Sequence, residues 1–384
     1  VRIDAPAFDV LGDVVKELEV IPEQDSEPVV FYLRPGEARH TRVNLDFSQE
    51  GNLLGTASVP VEITEDRVES EGTQRPAQRL QTCPRGTPGP DLILHVRFDR
   101  YEPQPSLRLG LQRLGELERP FPAVPLEANP TVWAQRRYEQ LSSLNAGVDP
   151  TGEKELGTEQ RLSADELSRH VKMLGQGLWD WLPDDFQDLY AEKRGEWGDK
   201  TLMVVSDEPY VPWEMVWPYG DGWEDDGPWC LTMSLTRWLR RDLQGNGHEA
   251  PPTELPFSSL ACVAPSDSGL EAAPAERAFL AELGSQHRVR DLSPDSATWK
   301  NVVGILDGGR YDWFHVAAHG SHDVESPGAD SALWLEGRRA LTPGMITGQP
   351  ANHIRRRRPG FFFNACHTGR QDWTLTGLGG WANT

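Results

Sequence analysis

Two short apolar runs, each ending in a reactive side chain and a glycine-bearing turn, constrain this chain more than any other feature. The first is Tyr311-Asp312-Trp313-Phe314-His315-Val316-Ala317-Ala318-His319-Gly320 and the second is Gly360-Phe361-Phe362-Phe363-Asn364-Ala365-Cys366-His367-Thr368-Gly369. Each has the length and composition of a strand covered on both faces, and an open parallel sheet presents functional side chains at the carboxyl ends of such strands. One run delivers an imidazole, the other a thiol. A cysteine attacks as its thiolate and needs a base or a positive environment nearby, so His319 is the candidate base for Cys366. Similar apolar runs at Leu202 to Ser206 and Leu260 to Ala264, with helical patterns at Ala275 to Leu283 and Asp295 to Leu306, predict an α/β fold with a mainly parallel sheet flanked by helices. Ser293-Pro294-Asp295 reads as the entry to the second of these helices and Gly308-Gly309 as its exit.

Residues 1–120 have a different texture. Val29 to Leu33, Thr41 to Phe47, Leu53 to Ile63, Asp91 to Phe98 and Leu107 to Leu111 show strand patterns separated by Pro-Gly punctuation, which predicts a smaller β-rich, sandwich-like domain, with one helix near Val10 to Leu18. This domain is expected to serve interaction or sensing. Pro120 to Pro130 contain four prolines, so 121–130 reads as a linker, and 131–384 as the α/β domain, opening with a helix over Thr131 to Leu144. Ser163 is a plausible N-cap for a helix carrying Leu167, Val171, Leu174 and Leu178; Pro183 ends it, and Asp184 caps another with Phe186, Leu189 and Tyr190. Trp179 and Trp181 are expected in the core.

Composition removes several function classes. A net charge of −21 over 384 residues disfavours nucleic acid or an anionic membrane surface as a partner, because lysine and arginine carry phosphate binding. No run of 18 apolar residues and no signal-peptide pattern is present, so a soluble chain without a membrane partner is expected. The four cysteines, Cys83, Cys230, Cys262 and Cys366, lack any C-x-x-C pair, so no disulfide framework, no metal site and no cofactor are expected, and a reducing cytoplasm fits.

Several further stretches extend the pattern set by the two runs. Leu202-Met203-Val204-Val205-Ser206-Asp207-Glu208 followed by Val211-Pro212-Trp213-Glu214, the helix Ala275-Glu276-Arg277 to Leu283-Gly284, Ser331 to Leu335 with Leu341-Thr342, and Gly377-Leu378-Gly379-Gly380-Trp381-Ala382 together resemble the CHAT family. This is a caspase-related family in the clan of separases and metacaspases. The likeness covers residues 126 to 384, and since relatives continue past the last of these motifs, it implies that the sequence stops inside the domain. His319 precedes Cys366 by close to the roughly 50 residues of the caspase arrangement. The resemblance implies an intracellular cysteine endopeptidase acting on a protein or peptide substrate through a His319/Cys366 dyad and a thioester. It also implies an effector gated by a partner, for which the N-terminal domain is the candidate contact. The backbone N–H groups of Gly320 and Cys366 are the expected oxyanion donors. Trp213, Glu214 and Asn364 are expected near substrate. Relatives that cleave after a basic residue carry an acid two positions before the cysteine, where this chain has Asn364, so the residue cleaved stays open. A non-enzymatic caspase-like scaffold is the alternative.

Three neighbours of the dyad have readings of their own. His315 is expected as a core histidine, and His367 to point away from the cysteine. Arg355-Arg356-Arg357-Arg358 is expected as a solvated loop, with a charge partner for an acidic substrate segment, or a site for processing, as its alternative role.

Overall fold

The computed structural model describes residues 1–384 except 22, 23, 25, 38, 65–85, 100–104, 115, 117, 127–162, 240–247, 250–254, 322–330, 366–371, 375, 376, 380 and 382–384. The chain falls into two units, Val1–Pro251 and Pro252–Thr384. The expected helix over Thr131 to Leu144 lies outside the described residues.

In the first unit, β1 (Arg2–Asp4), β4 (Arg39–Gln49), β5 (Asn52–Ile63) and β12 (His248–Glu249) form an antiparallel sheet; a separate hairpin joins β2 (Phe8–Leu11) and β3 (Tyr32–Pro35). A second, mixed sheet has the order β11 (Ser234–Leu239), β10 (Thr201–Ser206), β6 (Leu92–Asp99), β7 (Ser106–Arg113), β8 (Arg119–Pro120), with β9 (Val124–Pro125) also on β7. Residues 10–18 form no helix. Val10 and Leu11 complete β2, while Val14 and Lys16 are tied by backbone hydrogen bonds to Ile3 and Val1, which uses the groups a helix would need.

Strand alternation sorts the mixed sheet into two faces. Leu92, Leu94, Val96, Leu202 and Val204 pack against α1 (Ala164–Asp180) and α2 (Asp184–Trp197). Helix α1 starts where Ser163 and Glu166 form a reciprocal capping box, as the N-cap reading anticipated. Helix α2 has Pro183 rather than Asp184 at its N-cap position, and no side chain caps it. Trp179 is buried in this core, edge-on to Tyr190 at 5.1 Å, and donates its indole N–H to Tyr219 O; Trp181 packs partly buried against the same cluster. On the opposite face, Ile93, Met203 and Val205 meet Leu53 of β5.

The mixed sheet crosses the boundary expected near residue 120. Leu92 to Val96 pair in parallel with Leu202 to Ser206, so upstream strands and the first apolar run of the later region share one hydrogen-bonded ladder. The proline-rich stretch is built in as well. Val124 pairs with Leu107, and Phe121, Val124 and Leu126 are buried, because the apolar residues between the prolines have a core to fill.

Arg97 and two aspartates occupy an ionic centre in this unit. The buried Arg97 donates to Asp4 Oδ2 at 2.9 Å and Asp46 Oδ2 at 3.0 Å; Arg2 adds a second contact to Asp46 and Arg108 one to Asp4. Burial opposes ionisation of Asp4, but the three arginines outweigh it and hold the carboxyl well below the usual carboxylate range.

A second buried carboxylate organises the turn after β10. Glu208 Oε2 accepts from the backbone N–H groups of Tyr210 and Val211 at 2.8 and 2.9 Å, and Oε1 from the Trp213 indole at 3.0 Å. Burial pushes its pKa up to about 7, against the opposing pull of Arg237 and those donors.

In the second unit, β14 (Arg290–Asp291), β13 (Ser259–Val263), β15 (Trp313–Ala317) and β19 (Gly360–Asn364) form an all-parallel sheet in that order. Three of the four predicted apolar strands therefore share this sheet, and Leu202 to Ser206 belongs to the other unit. Helix α3 (Ala273–Gln286) covers the face carrying Cys262 and Ala317, whereas α4 (Trp299–Gly308) covers the face of Phe314 and Val316. Helix α4 starts later than its Ser-Pro-Asp signal, after Thr298, and ends at Gly309 with φ 55°, a left-handed C-cap open to glycine. Strands β16 (His319–Ser321), β17 (Ala332–Leu335) and β18 (Arg339–Leu341) make a small antiparallel sheet, and α5 (Gln349–Arg357) precedes β19.

Two outcomes follow for the buried charges. Arg97→Ala leaves Asp4 and Asp46 without their shared counter-ion and lowers stability by about 3–5 kcal/mol in urea unfolding. The folded pKa of Glu208 lies above the unfolded value of 4.5, so its contribution is fully present below 4.5 and is lost as pH rises through about 7. Unfolding at pH 5 and pH 8 will show this loss, on the order of 1–3 kcal/mol, in the wild type, and a smaller one in Glu208→Gln.

Candidate active site

The parallel pairing of β15 with β19 sets the geometry of the two motifs. Ala317 and Asn364 are Cα partners at the carboxyl ends of these strands, and Ala318 N–H donates to Asn364 O at 3.3 Å. His319 and Cys366 each follow their member of that pair by two residues; Cys366 and His367 lie outside the described residues. Gly360 permits the approach at the other end, since a Cβ there would lie 2.8 Å from the Trp313 ring.

His319 is exposed, at the start of β16, paired with Trp334. Its Nε2 lies 2.9 Å from Ser268 O, so the neutral ring assigned from that contact carries its proton on Nε2 and keeps Nδ1 as the basic nitrogen. Ser268 sits in the loop after β13, which is fixed by Ser266 and Ala297 N–H on Glu336 Oε1 and by Gly337 N–H on Asp267. No third side chain orienting the histidine was evident from sequence. The orienting group is a backbone carbonyl, and a carbonyl leaves no signature in residue type. Gly320 pairs with Leu333 in the same small sheet.

His315 is buried, as expected of a core histidine, and its partner is Glu276 on α3, with Nε2 to Oε1 at 2.7 Å. Asn364 Nδ2 donates to both oxygens of Glu276, at 3.1 and 2.9 Å. His315 also stacks on Phe362 of β19, with centroids 4.9 Å apart and planes at 8°. Sequence reasoning placed Glu276 only within a family helix. The signal that singles it out is its position in the first turn of a helix lying over the face shared by His315 and Asn364.

The remaining expected site residues lie in the other unit. Trp213 is fully buried with its indole on Glu208, which removes it from contact with substrate and makes it part of the core. Glu214 is partly exposed, 3.6 Å from Arg237. Among the described residues, no group of His, Cys, Asp or Glu has the arrangement to hold a metal ion. Cys262 is a buried thiol whose pKa is pushed up to about 11 by burial, the opposite of an activated nucleophile.

Residues 173–381, more than half of the sequence, match the CHAT domain family. The chain belongs to the CHAT family. No curated protein matches it significantly. The family is caspase-like and includes cysteine peptidases. The CHAT match begins within α1 and spans β10 and β11, so the mixed sheet joins CHAT strands to strands upstream of the match. Among the described residues, no helix is long and apolar enough to cross a membrane.

The arginine run forms the last turn of α5 and its C-cap rather than a loop. Its side chains are solvated, and the carboxyl end of a helix favours positive charge. Helix α5 leads into the amino end of β19, about 13 Å of strand from Asn364. That places the run at the sheet edge opposite His319. Neutralising Arg355, Arg356 and Arg358 to glutamine, with Arg357 kept for its bond to Gly309 O, will therefore leave the activity proposed below within about twofold in a cleavage assay.

Proposed function

We propose that the CHAT domain is a cysteine endopeptidase with Cys366 as nucleophile and His319 as general base and acid. The observation that carries this reading is the pairing of Ala317 with Asn364, which brings the two reactive motifs off neighbouring parallel strands at the same edge. The Ser268 carbonyl supports it by leaving Nδ1 of His319 as the nitrogen able to take a proton.

The chemistry runs in two halves. His319 Nδ1 takes the thiol proton, the Cys366 thiolate adds to the scissile carbonyl carbon, and the carbonyl oxygen becomes an oxyanion for which the Gly320 and Cys366 backbone N–H groups are the donors. The tetrahedral adduct expels the amine, which leaves with the proton held by His319, and a thioester remains. Water, giving a proton to His319, then adds to the thioester; the acid product departs and the thiol is restored. The substrate is a protein or peptide, and an activating partner reached through the β-rich region upstream of the CHAT match would gate turnover.

New protein termini compared between lysates treated with the intact protein and with Cys366→Ala test the reading by mass spectrometry. Termini that appear only with the intact thiol are expected, and His319→Ala will reduce their rate of formation by on the order of 100-fold or more. If identical termini form with Cys366→Ala, the peptidase reading fails. Full-rate cleavage by the purified protein alone would remove the gating.

A further inference from the structure

The face of the parallel sheet under α3 carries one carboxylate that touches both strands of the candidate site. Glu276 receives His315 Nε2 at 2.7 Å from β15 and Asn364 Nδ2 at 3.1 and 2.9 Å from β19. His315 stands four residues before His319, and Asn364 two before Cys366. We propose that Glu276 is a positioning residue: it clamps the histidine strand to the cysteine strand and so sets the spacing of the dyad. The inference rests on the peptidase reading above.

Three features favour a geometric role over a purely stabilising one. The His315 side chain is nearly sequestered from water, and an apolar pair in its place would serve stability at least as well, because desolvation consumes most of what a buried polar contact returns. Asn364 is exposed, so its amide has water as an alternative partner, yet it points both of its contacts at one carboxylate. The His315 ring is held between Glu276 and the Phe362 ring, which fixes it against β19 as well as within β15. Backbone pairing alone sets the register of the two strands, but the splay of their ends depends on what joins them beyond the last ladder bond. A nucleophile and base misplaced by about 1 Å lose on the order of 100-fold in rate.

The clamp has a directionality that can be reversed. Asn364→Asp sets a second carboxylate against Glu276. In Glu276→Gln/Asn364→Asp, the new amide oxygen accepts from His315 while its NH2 donates to the new carboxylate, so both contacts return with total charge unchanged.

The full chain carrying Asn364→Asp, and the double variant, are compared with wild type by the rate at which iodoacetamide alkylates Cys366, by kcat and KM on a cleaved substrate, and by Tm. Asn364→Asp is expected to slow alkylation and kcat about tenfold or more, and the double variant, which carries the same substitution of Asn364, to recover both to within about threefold of wild type. A double variant no faster than Asn364→Asp at matched Tm overturns the proposal, as does an Asn364→Asp protein that reacts like wild type. If Asn364→Asp does not fold, Glu276→Ala takes its place: slow Glu276→Ala beside a fast double variant supports the clamp, and equal rates overturn it. Absence of Cys366-dependent cleavage by the wild type counts against the peptidase reading, while the alkylation series still decides the clamp.

Discussion

Five residue pairs, from Trp313 with Gly360 to Ala317 with Asn364, hold β15 beside β19, and the chemistry proposed for the second unit depends on that ladder. A slip of one residue would turn Phe361 and Phe363 away from the α4 core and bring Asn364 off the α3 face, because strand side chains alternate. The aromatic run therefore sets register as well as adding burial. Phe314 and Phe361 meet at 5.6 Å on one face, and His315 and Phe362 stack on the other. Both faces thus select the same alignment, and the reactive ends follow from it.

Where its two sheets meet, the first unit places charge. The Arg97 cluster lies on the β6 face that meets the antiparallel sheet, a place where apolar side chains would also fill space, and its arginines and aspartates satisfy one another through bonds drawn from four strands. Its geometry is specific in a way that an apolar contact is not, since each carboxylate must find its fork. Glu208 does similar work on a smaller scale, folding the segment from Tyr210 to Trp213 around one side chain.

Much of this was legible in sequence. Continuous apolar runs located β10, β13, β15 and β19, and Ser163 with the helical spacing of Leu167, Val171, Leu174 and Leu178 announced α1. What periodicity cannot report is which strands pair. Leu202 to Ser206 has the same short, continuous apolar character as Leu260 to Ala264, yet it is recruited by Leu92 to Val96, and the upstream strands with it, so a boundary drawn from a change in texture divided one sheet. Val10 to Leu18 misled in the other direction, since its weak helical pattern is overridden by pairing with β3 and by backbone bonds to the first residues. At the candidate site, His319 stood out by residue type and spacing. Ser268 did not, because it acts through its carbonyl, and Glu276 did not, because its value comes from two strands that meet only in the folded chain.

The entry to β19 through Arg358 and Pro359 has a further consequence. The strand is held by its ladder to β15, by the contacts of Phe361 with Tyr311 and Phe314, and by Asn364 on Glu276, none of which passes through the backbone of that connection. Arg358 is exposed and at the edge away from the reactive motifs. In a chain nicked at this point, the contacts that align β19 with β15 would be among those that join the histidine-bearing piece to the cysteine-bearing one, so that association of the pieces and assembly of the proposed dyad would become the same event.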